Sequence, residues 1–200
     1  MTKSDNLVRC GWVGNDADYR HYHDTEWGVP LKTDRAIFEK LVLEGFQAGL
    51  SWITILRKRE NFRRAFDGFD AESIARYTTK DIERLMNDAG IVRNRAKIEA
   101  TIENAEAFLK LRERTTLKKF LASHLQQGTV QNRAQALTDV PASTELSTRI
   151  SKALKKEGFR FVGPTTVYAF MQSSGMVNDH LIGCFRHREC ARLQKDAWRV

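Results

Sequence analysis

The chain has 200 residues and a net charge of +8, with 42% hydrophobic and 29% charged residues and only 12 glycines and 3 prolines. That composition fits one globular unit able to bury a core without staples, and it excludes disordered, collagen-like and turn-rich β-sandwich classes. The excess of Lys and Arg points to a polyanionic partner, because these side chains displace condensed counterions from phosphates.

Helical patterns dominate. Thr33 or Asp34 caps a helix that carries Ile37, Phe38, Leu41 and Val42 on one face. Gly45 and Gly49 are expected to bracket a break, after which Ser51 caps a second helix with Ile53 and Leu56. Asp70 starts a short helix through Ile74. Thr78 and Asp81 form a capping-box pattern ahead of Ile82, Leu85 and Met86, with Gly90 as the stop. Ile98, Ile102, Ala105 and Leu109 share one face of a helix over about 93–112. Leu117, Phe120, Leu121 and Leu125 mark another, and 126–141 reads as a polar loop. Ser143 or Thr144 starts a helix through Ile150 and Leu154 that ends at Gly158, and a last one fits 165–173. No segment alternates with period two. The expected fold is all-α, one unit over 1–200 with a helical core at about 34–173. No apolar run approaches the roughly 18–20 residues of a membrane span, and residues 1–6 lack a secretory core. A cytoplasmic location is expected.

The terminal segments, about 8–30 and 174–190, have weaker periodicity but hold all three cysteines and four of the five histidines. An odd cysteine count does not make a disulfide framework. Twelve residues separate Cys10 from His23 and three separate His180 from Cys184, a spacing expected to put the latter pair on one side of a helical turn. Two thiolates and two imidazoles suit tetrahedral zinc, and four protein ligands make such a site structural. It would tie together segments far apart in sequence. His21, His187 and Cys190 are rival ligands, and buried, unrelated cysteines are the plainer alternative.

Two further features bear on chemistry. Lys155 and Lys156 lead into Gly158-Phe159-Arg160-Phe161-Val162-Gly163-Pro164 and then a helix. Such a glycine-flanked turn can offer backbone N–H groups to a phosphate, although an ordinary turn between helices reads the same way. Residues 12–27 hold Trp12, Tyr19, Tyr22 and Trp27, and Trp52 follows Glu44 closely. Aromatic faces can sandwich a base, and a carboxylate at the apolar face of a helix can accept from an exocyclic amine. The plainer alternative is core packing. The basic run Arg57-Lys58-Arg59-Glu60-Asn61-Phe62-Arg63-Arg64 is a candidate DNA-facing surface or a solvated helix face.

Together these segments resemble the DNA-3-methyladenine glycosylase I family of the helix-hairpin-helix superfamily. The resemblance rests on Arg9-Cys10-Gly11-Trp12, Tyr22-His23-Asp24, Glu26-Trp27-Gly28-Val29-Pro30, the run from Leu43 to Trp52, Lys58-Arg59-Glu60-Asn61, Ala89-Gly90-Ile91-Val92-Arg93, 151–163 and Val177-Asn178-Asp179-His180. It implies a helix-hairpin-helix fold whose terminal segments are joined by one structural Zn2+ on Cys10, His23, His180 and Cys184. It implies DNA contact through Lys155, Lys156, Gly158, Arg160 and Gly163. It also implies a base pocket in which Glu44 and Tyr22 hydrogen-bond adenine and Trp52 stacks on it, with Tyr19 and Trp12 as walls. The implied activity is that of a monofunctional base-excision repair enzyme, a hydrolase of N-glycosyl bonds. It would flip 3-methyladenine out of double-stranded alkylated DNA and leave an abasic site, acting as a monomer. Many superfamily members carry a catalytic Asp where this chain has Asn178, and the family shares that departure. A silent DNA-binding module and a zinc hydrolase are the rival readings.

Overall fold

A computed structural model describes residues 7–125 and 128–199. Among them are ten α-helices and a pair of two-residue strands: α1 (Ala17–Thr25), α2 (Asp34–Gln47), α3 (Trp52–Ala65), α4 (Ala71–Ile74), α5 (Thr79–Asn87), α6 (Arg95–Arg112), α7 (Leu117–Ala122), β1 (Val130–Gln131), α8 (Glu145–Lys156), α9 (Pro164–Ser173), β2 (Val177–Asn178) and α10 (Phe185–Gln194). β1 and β2 pair in parallel, Val130 with Val177 and Gln131 with Asn178. The molecule is thus mostly helical, with one short ladder that joins the expected loop to the C-terminal segment. No helix of the described residues is long and apolar enough to cross a membrane.

Polar side chains start the helices where the sequence places them. Thr33, Asp70, Asn94, Thr116 and Thr144 each accept a backbone N–H of the first turn, contacts of about 1 kcal/mol apiece. Asp81 accepts from the N–H and hydroxyl of Thr78. Ser51 precedes α3 but bonds to the Thr54 hydroxyl rather than to a backbone N–H.

α2 lies at the centre. Ile37, Phe38, Leu41, Val42, Leu43 and Phe46 are buried on several of its faces, so it packs against α3, α6, α7 and α9 at once. The expected break does occur, between Gln47 and Trp52 around Gly49, while Gly45 itself lies inside α2. Gly45 instead serves close approach: a Cβ there would stand 3.3 Å from the Phe161 Cβ, in the turn between α8 and α9. Phe62, Phe66 and Phe69 stack in turn beneath this centre, with Phe46 tilted against the first two; burying each contributes about 1.5–3 kcal/mol.

Both terminal segments contain helices that periodicity did not reveal. Within α1, Tyr22 and His23 are the buried residues; within α10, Arg186, Cys190 and Gln194 are. The two segments do meet. The Phe185 N–H donates to the Val8 carbonyl, and Gln194 Nε2 donates to the Gly28 carbonyl at 2.7 Å. Trp198 closes the underside, fully buried, with its indole N–H on the Ser174 carbonyl.

Candidate functional site

Cys10, His23, His180 and Cys184 come together, all buried, with their donor atoms within 4.8 Å of one another. Cys10 precedes a 3-10 turn over Gly11–Val13, and His23 sits in the last turn of α1. His180 and Cys184 are not on a helix, contrary to the spacing argument. A turn closed by the Cys184 N–H on the Leu181 carbonyl brings them together, and Cys184 caps α10. Cys184 Sγ lies 3.4 Å from His23 Nε2 and 3.6 Å from His180 Nδ1, and Cys10 Sγ lies 3.7 Å from His180 Nδ1.

These residues fit a zinc ion. Zinc bonds of about 2.0–2.3 Å give tetrahedral edges of about 3.3–3.8 Å, which the three separations just given match, the full set staying within 4.8 Å. The other ring nitrogens are committed elsewhere: His23 Nδ1 to Asp24 at 2.7 Å and His180 Nε2 to the Trp27 carbonyl at 3.1 Å. Such outer partners fix the tautomer that turns the free nitrogen to a metal. Asp24 is held in turn by Arg9 at 2.7 Å. Hydrogen bonding between the sulfurs pushes the Cys10 thiol up and pulls Cys184 down; ionising both side by side calls for a cation. The rival ligands lie elsewhere. His187 bonds the Asn132 carbonyl, Cys190 faces the Trp27 carbonyl, and His21 lines a separate groove.

Directly against this cluster is a cavity of about 360 Å3. Trp12, Tyr19, Tyr22, Trp52 and Glu44 all line it, so the five residues expected at a base pocket share one space. Trp12 packs edge-on against Tyr19 at 5.5 Å and Trp27 at 5.1 Å, and also touches the His23 ring. Tyr19 accepts the Ile53 N–H at 3.1 Å, which joins α1 to the start of α3. Tyr22 and Trp52 have ring centroids 5.4 Å apart. The buried indole N–H of Trp52 has no hydrogen-bond partner among the described residues.

Glu44, buried on α2, accepts the Ser173 hydroxyl at 2.7 Å. Burial pushes its pKa up to about 7, against the opposing pull of the Lys40 charge and the Ser173 hydrogen bond. Burial also lifts the Tyr22 phenol well above its ordinary value, and the Glu44 charge adds to this.

Sequence reasoning missed part of the lining. Gln172 and Ser173 come from the end of α9, Asp179 from just after β2, and Leu137, Val140 and Pro141 from the loop before α8. Asp179 accepts from Tyr168 at 2.6 Å, Gln172 at 2.8 Å and Asn132 at 2.6 Å, which ties that loop to α9. The motif Val177-Asn178-Asp179-His180 could have drawn attention to it. Asn178 points away, to Gln131 and the His187 carbonyl.

The turn between α8 and α9 is ordered by its neighbours. Gly158 has φ +96°, a left-handed value that suits glycine. Phe159 and Val162 are buried, and Ser151 donates to the Val162 carbonyl at 2.6 Å. Asn104 takes the Arg160 N–H at 2.6 Å and returns a bond to its carbonyl at 3.2 Å. Gly163 caps α9 and Pro164 opens it. Lys155 and Lys156 are exposed at the end of α8. The Arg160 guanidinium, by contrast, is paired with Glu103 at 2.6 Å. Internal partners also occupy the basic run of α3: Arg57 holds Asp16 and Asp18, Arg59 holds Glu26, and Arg63 holds Glu39 and Glu60.

Residues 12–187 match the profile of the methyladenine glycosylase family. DNA-3-methyladenine glycosylase 1 of Escherichia coli (strain K12) is 49% identical over 179 residues, 89% of this chain and 96% of that protein. A crystal structure of 3-methyladenine DNA glycosylase I superposes with a TM-score of 0.88 at 48% identity, over 90% of this chain and 100% of that one. A single-substitution variant of such an enzyme, solved in complex with 3-methyladenine, gives a TM-score of 0.85 at 37% identity, over 88% of this chain and 96% of that one. Agreement in sequence profile, residue identity and backbone over nearly the whole length shows that the chain belongs to the methyladenine glycosylase family of enzymes.

Proposed function

We propose that this protein excises 3-methyladenine from alkylated double-stranded DNA, by flipping the nucleotide out and hydrolysing its glycosidic bond to leave an abasic site. The observation that carries this reading is the placement of one buried carboxylate, Glu44, in a cavity walled by Tyr22, Trp52, Trp12 and Tyr19. Similarity to a protein solved with 3-methyladenine supports it.

Methylation at N3 makes the base a cation, so cleavage of the N9–C1′ bond releases a neutral molecule. The leaving group needs no proton from the protein. Glu44 accepts from the exocyclic amine and complements the positive charge, an interaction strengthened by exclusion of water. Ser173 holds one carboxylate oxygen, so the carboxylate is oriented before the base arrives. Trp52 offers its face, worth on the order of 1–3 kcal/mol for a stacked base. Tyr22 supplies a phenol kept neutral by burial. Water adds to C1′ as the base leaves with the bonding electrons, and the proton that the water sheds passes to solvent. Unstacking costs a few kcal/mol, less for a damaged pair.

The α8–turn–α9 segment is assigned as the DNA-gripping hairpin. The open first turn of α9 presents N–H groups to a phosphate, with Lys155 and Lys156 beside it, and Gly158 and Gly163 keep the backbone accessible. Arg160 contributes its backbone more than its charge, since Glu103 occupies its side chain. α9 carries Gln172 and Ser173 at its far end, so one helix of about 15 Å sets the distance from phosphate grip to pocket. Cys10, His23, His180 and Cys184 would hold one zinc ion; when bound it cross-links the terminal segments and leaves no ligand position open to water or substrate. Pocket, hairpin and cluster all come from one chain, consistent with action as a monomer, and a cytoplasmic site of action is part of the proposal.

The direct test is release of free base from methylated duplex DNA. Release of 3-methyladenine by the wild type and its loss in Glu44→Gln support the assignment. DNA binding without release by folded protein would make this chain a binding module.

A further inference from the structure

We propose that Lys40 is a positioning residue for the base pocket: its buried ammonium, set against Tyr22 and Trp52 one helical turn from Glu44, keeps that carboxylate anionic and ready for a cationic base. The inference rests on the assignment of Glu44 above.

Lys40 is only 7% exposed, although lysine is among the residues least often buried. Its Nζ lies 5.0 Å from the centroid of the Tyr22 ring and 4.8 Å from that of Trp52, and it donates to the Tyr22 hydroxyl at 3.4 Å. The ammonium therefore adjoins two of the proposed base-binding rings. A cation there would repel a cationic ligand unless an anion stood beside it. Glu44 occupies the i+4 position on α2, where side chains face each other.

The other carboxylates nearby are committed to other partners. Glu26 is held by Arg59 at 2.5 Å, and Glu39 by Arg63 at 2.7 Å. The groups acting on Lys40 are Glu44 and Glu39 on α2, Arg59 on α3 and Glu26 after α1. Glu44 meets Ser173 from α9 and shares its cavity with Asp179. Burial pulls the ammonium down while the Glu44 charge pushes it up, and the ammonium draws Glu44 back toward the charged form against its own burial. The ammonium thus holds Glu44 close to its midpoint at neutral pH, where without it burial would leave the carboxyl protonated. Tyr22, pinned by the ammonium on its oxygen, has its own proton free to point elsewhere.

Lys40→Met keeps the stem and removes the charge; a buried Glu44 left without its cation takes up a proton rather than stay an uncompensated charge. Two readouts test it. In 13C-labelled protein, the side-chain carboxyl of Glu44, assigned by its disappearance in Glu44→Gln, should titrate at higher pH in Lys40→Met than in wild type. In parallel, release of 3-methyladenine by Lys40→Met should fall about tenfold at pH 6.5 and return to within about threefold of wild type by pH 8.5. Lys40→Arg should retain the wild-type midpoint. Should Lys40→Met not fold, Lys40→Gln is read the same way. An unmoved Glu44 titration, or a loss of activity of equal size at both pH values, would overturn the proposal. Failure of the wild type to release base overturns the functional assignment instead, and the carboxyl titration alone then decides the role of Lys40.

Discussion

Glu44 carries a cost that its role explains. A carboxyl with a pKa raised to about 7, from an ordinary 4.5, binds its proton more tightly in the folded chain than in the unfolded one. Its contribution to stability is fully present below about pH 4.5 and is lost as pH rises through about 7. Glu44→Gln should therefore be more stable than wild type at pH 8, by about 1–3 kcal/mol in urea unfolding, while losing tenfold to a hundredfold in base release. A variant that lost both would mark Glu44 as structural. Ser173→Ala removes the hydroxyl that steadies the carboxylate and lowers its pKa. It should move the acid side of the activity profile to higher pH, as read by base release between pH 6 and 8. Residue type and spacing drew attention to Glu44, Tyr22 and Trp52 but left core packing as the plainer alternative; their roles in a pocket came from the family resemblance. Lys40 was not legible, because a lysine on a helix reads as solvent-facing until its neighbours are known.

Among the helices, α9 links two tasks, with its first turn at the hairpin and its last turn in the pocket wall. Lys155→Ala with Lys156→Ala should weaken duplex binding and flatten its salt dependence, by about 0.9 in log–log slope for each phosphate no longer neutralised. Turnover at saturating DNA should change little. A variant with unaltered binding at every salt concentration would remove these lysines from the interface. Asn104→Ala frees the Arg160 backbone from its clamp and should likewise lower DNA affinity while leaving the Glu44 titration in place. The core helices were legible because α2, α6, α8 and α9 bury apolar residues at helical spacing. α1 and α10 were not: α1 buries a tyrosine and a histidine, and α10 an arginine, a cysteine and a glutamine, which leaves no apolar stripe to detect. The 128–141 loop hid its part for a related reason. Leu137, Val140 and Pro141 reach the cavity from a polar segment, and two-residue strands are too short to show a period.

Across the full chain, the terminal segments form one wall of the site, joined at the Cys/His cluster. Trp12 touches both the cluster and the pocket, so loosening the one disturbs the other. Metal analysis should find one zinc per chain. Chelation or Cys10→Ser should lower the melting temperature by several degrees, and activity should fall in step with unfolding. Folded, chelated protein that retained its stability but lost turnover would instead favour an open, catalytic metal. Chemistry alone singled out the four ligands with rivals left standing; the fold removes His21, His187 and Cys190 by giving them other neighbours.

The function of the pocket is tested most sharply by identifying the base released from N-methylated duplex DNA by zinc-loaded wild type and by Glu44→Gln. The wild type should release 3-methyladenine, and the variant should bind the duplex with little release. Equal release by both would remove Glu44 from the chemistry, and no release by a folded wild type that binds the duplex would contradict the assignment itself.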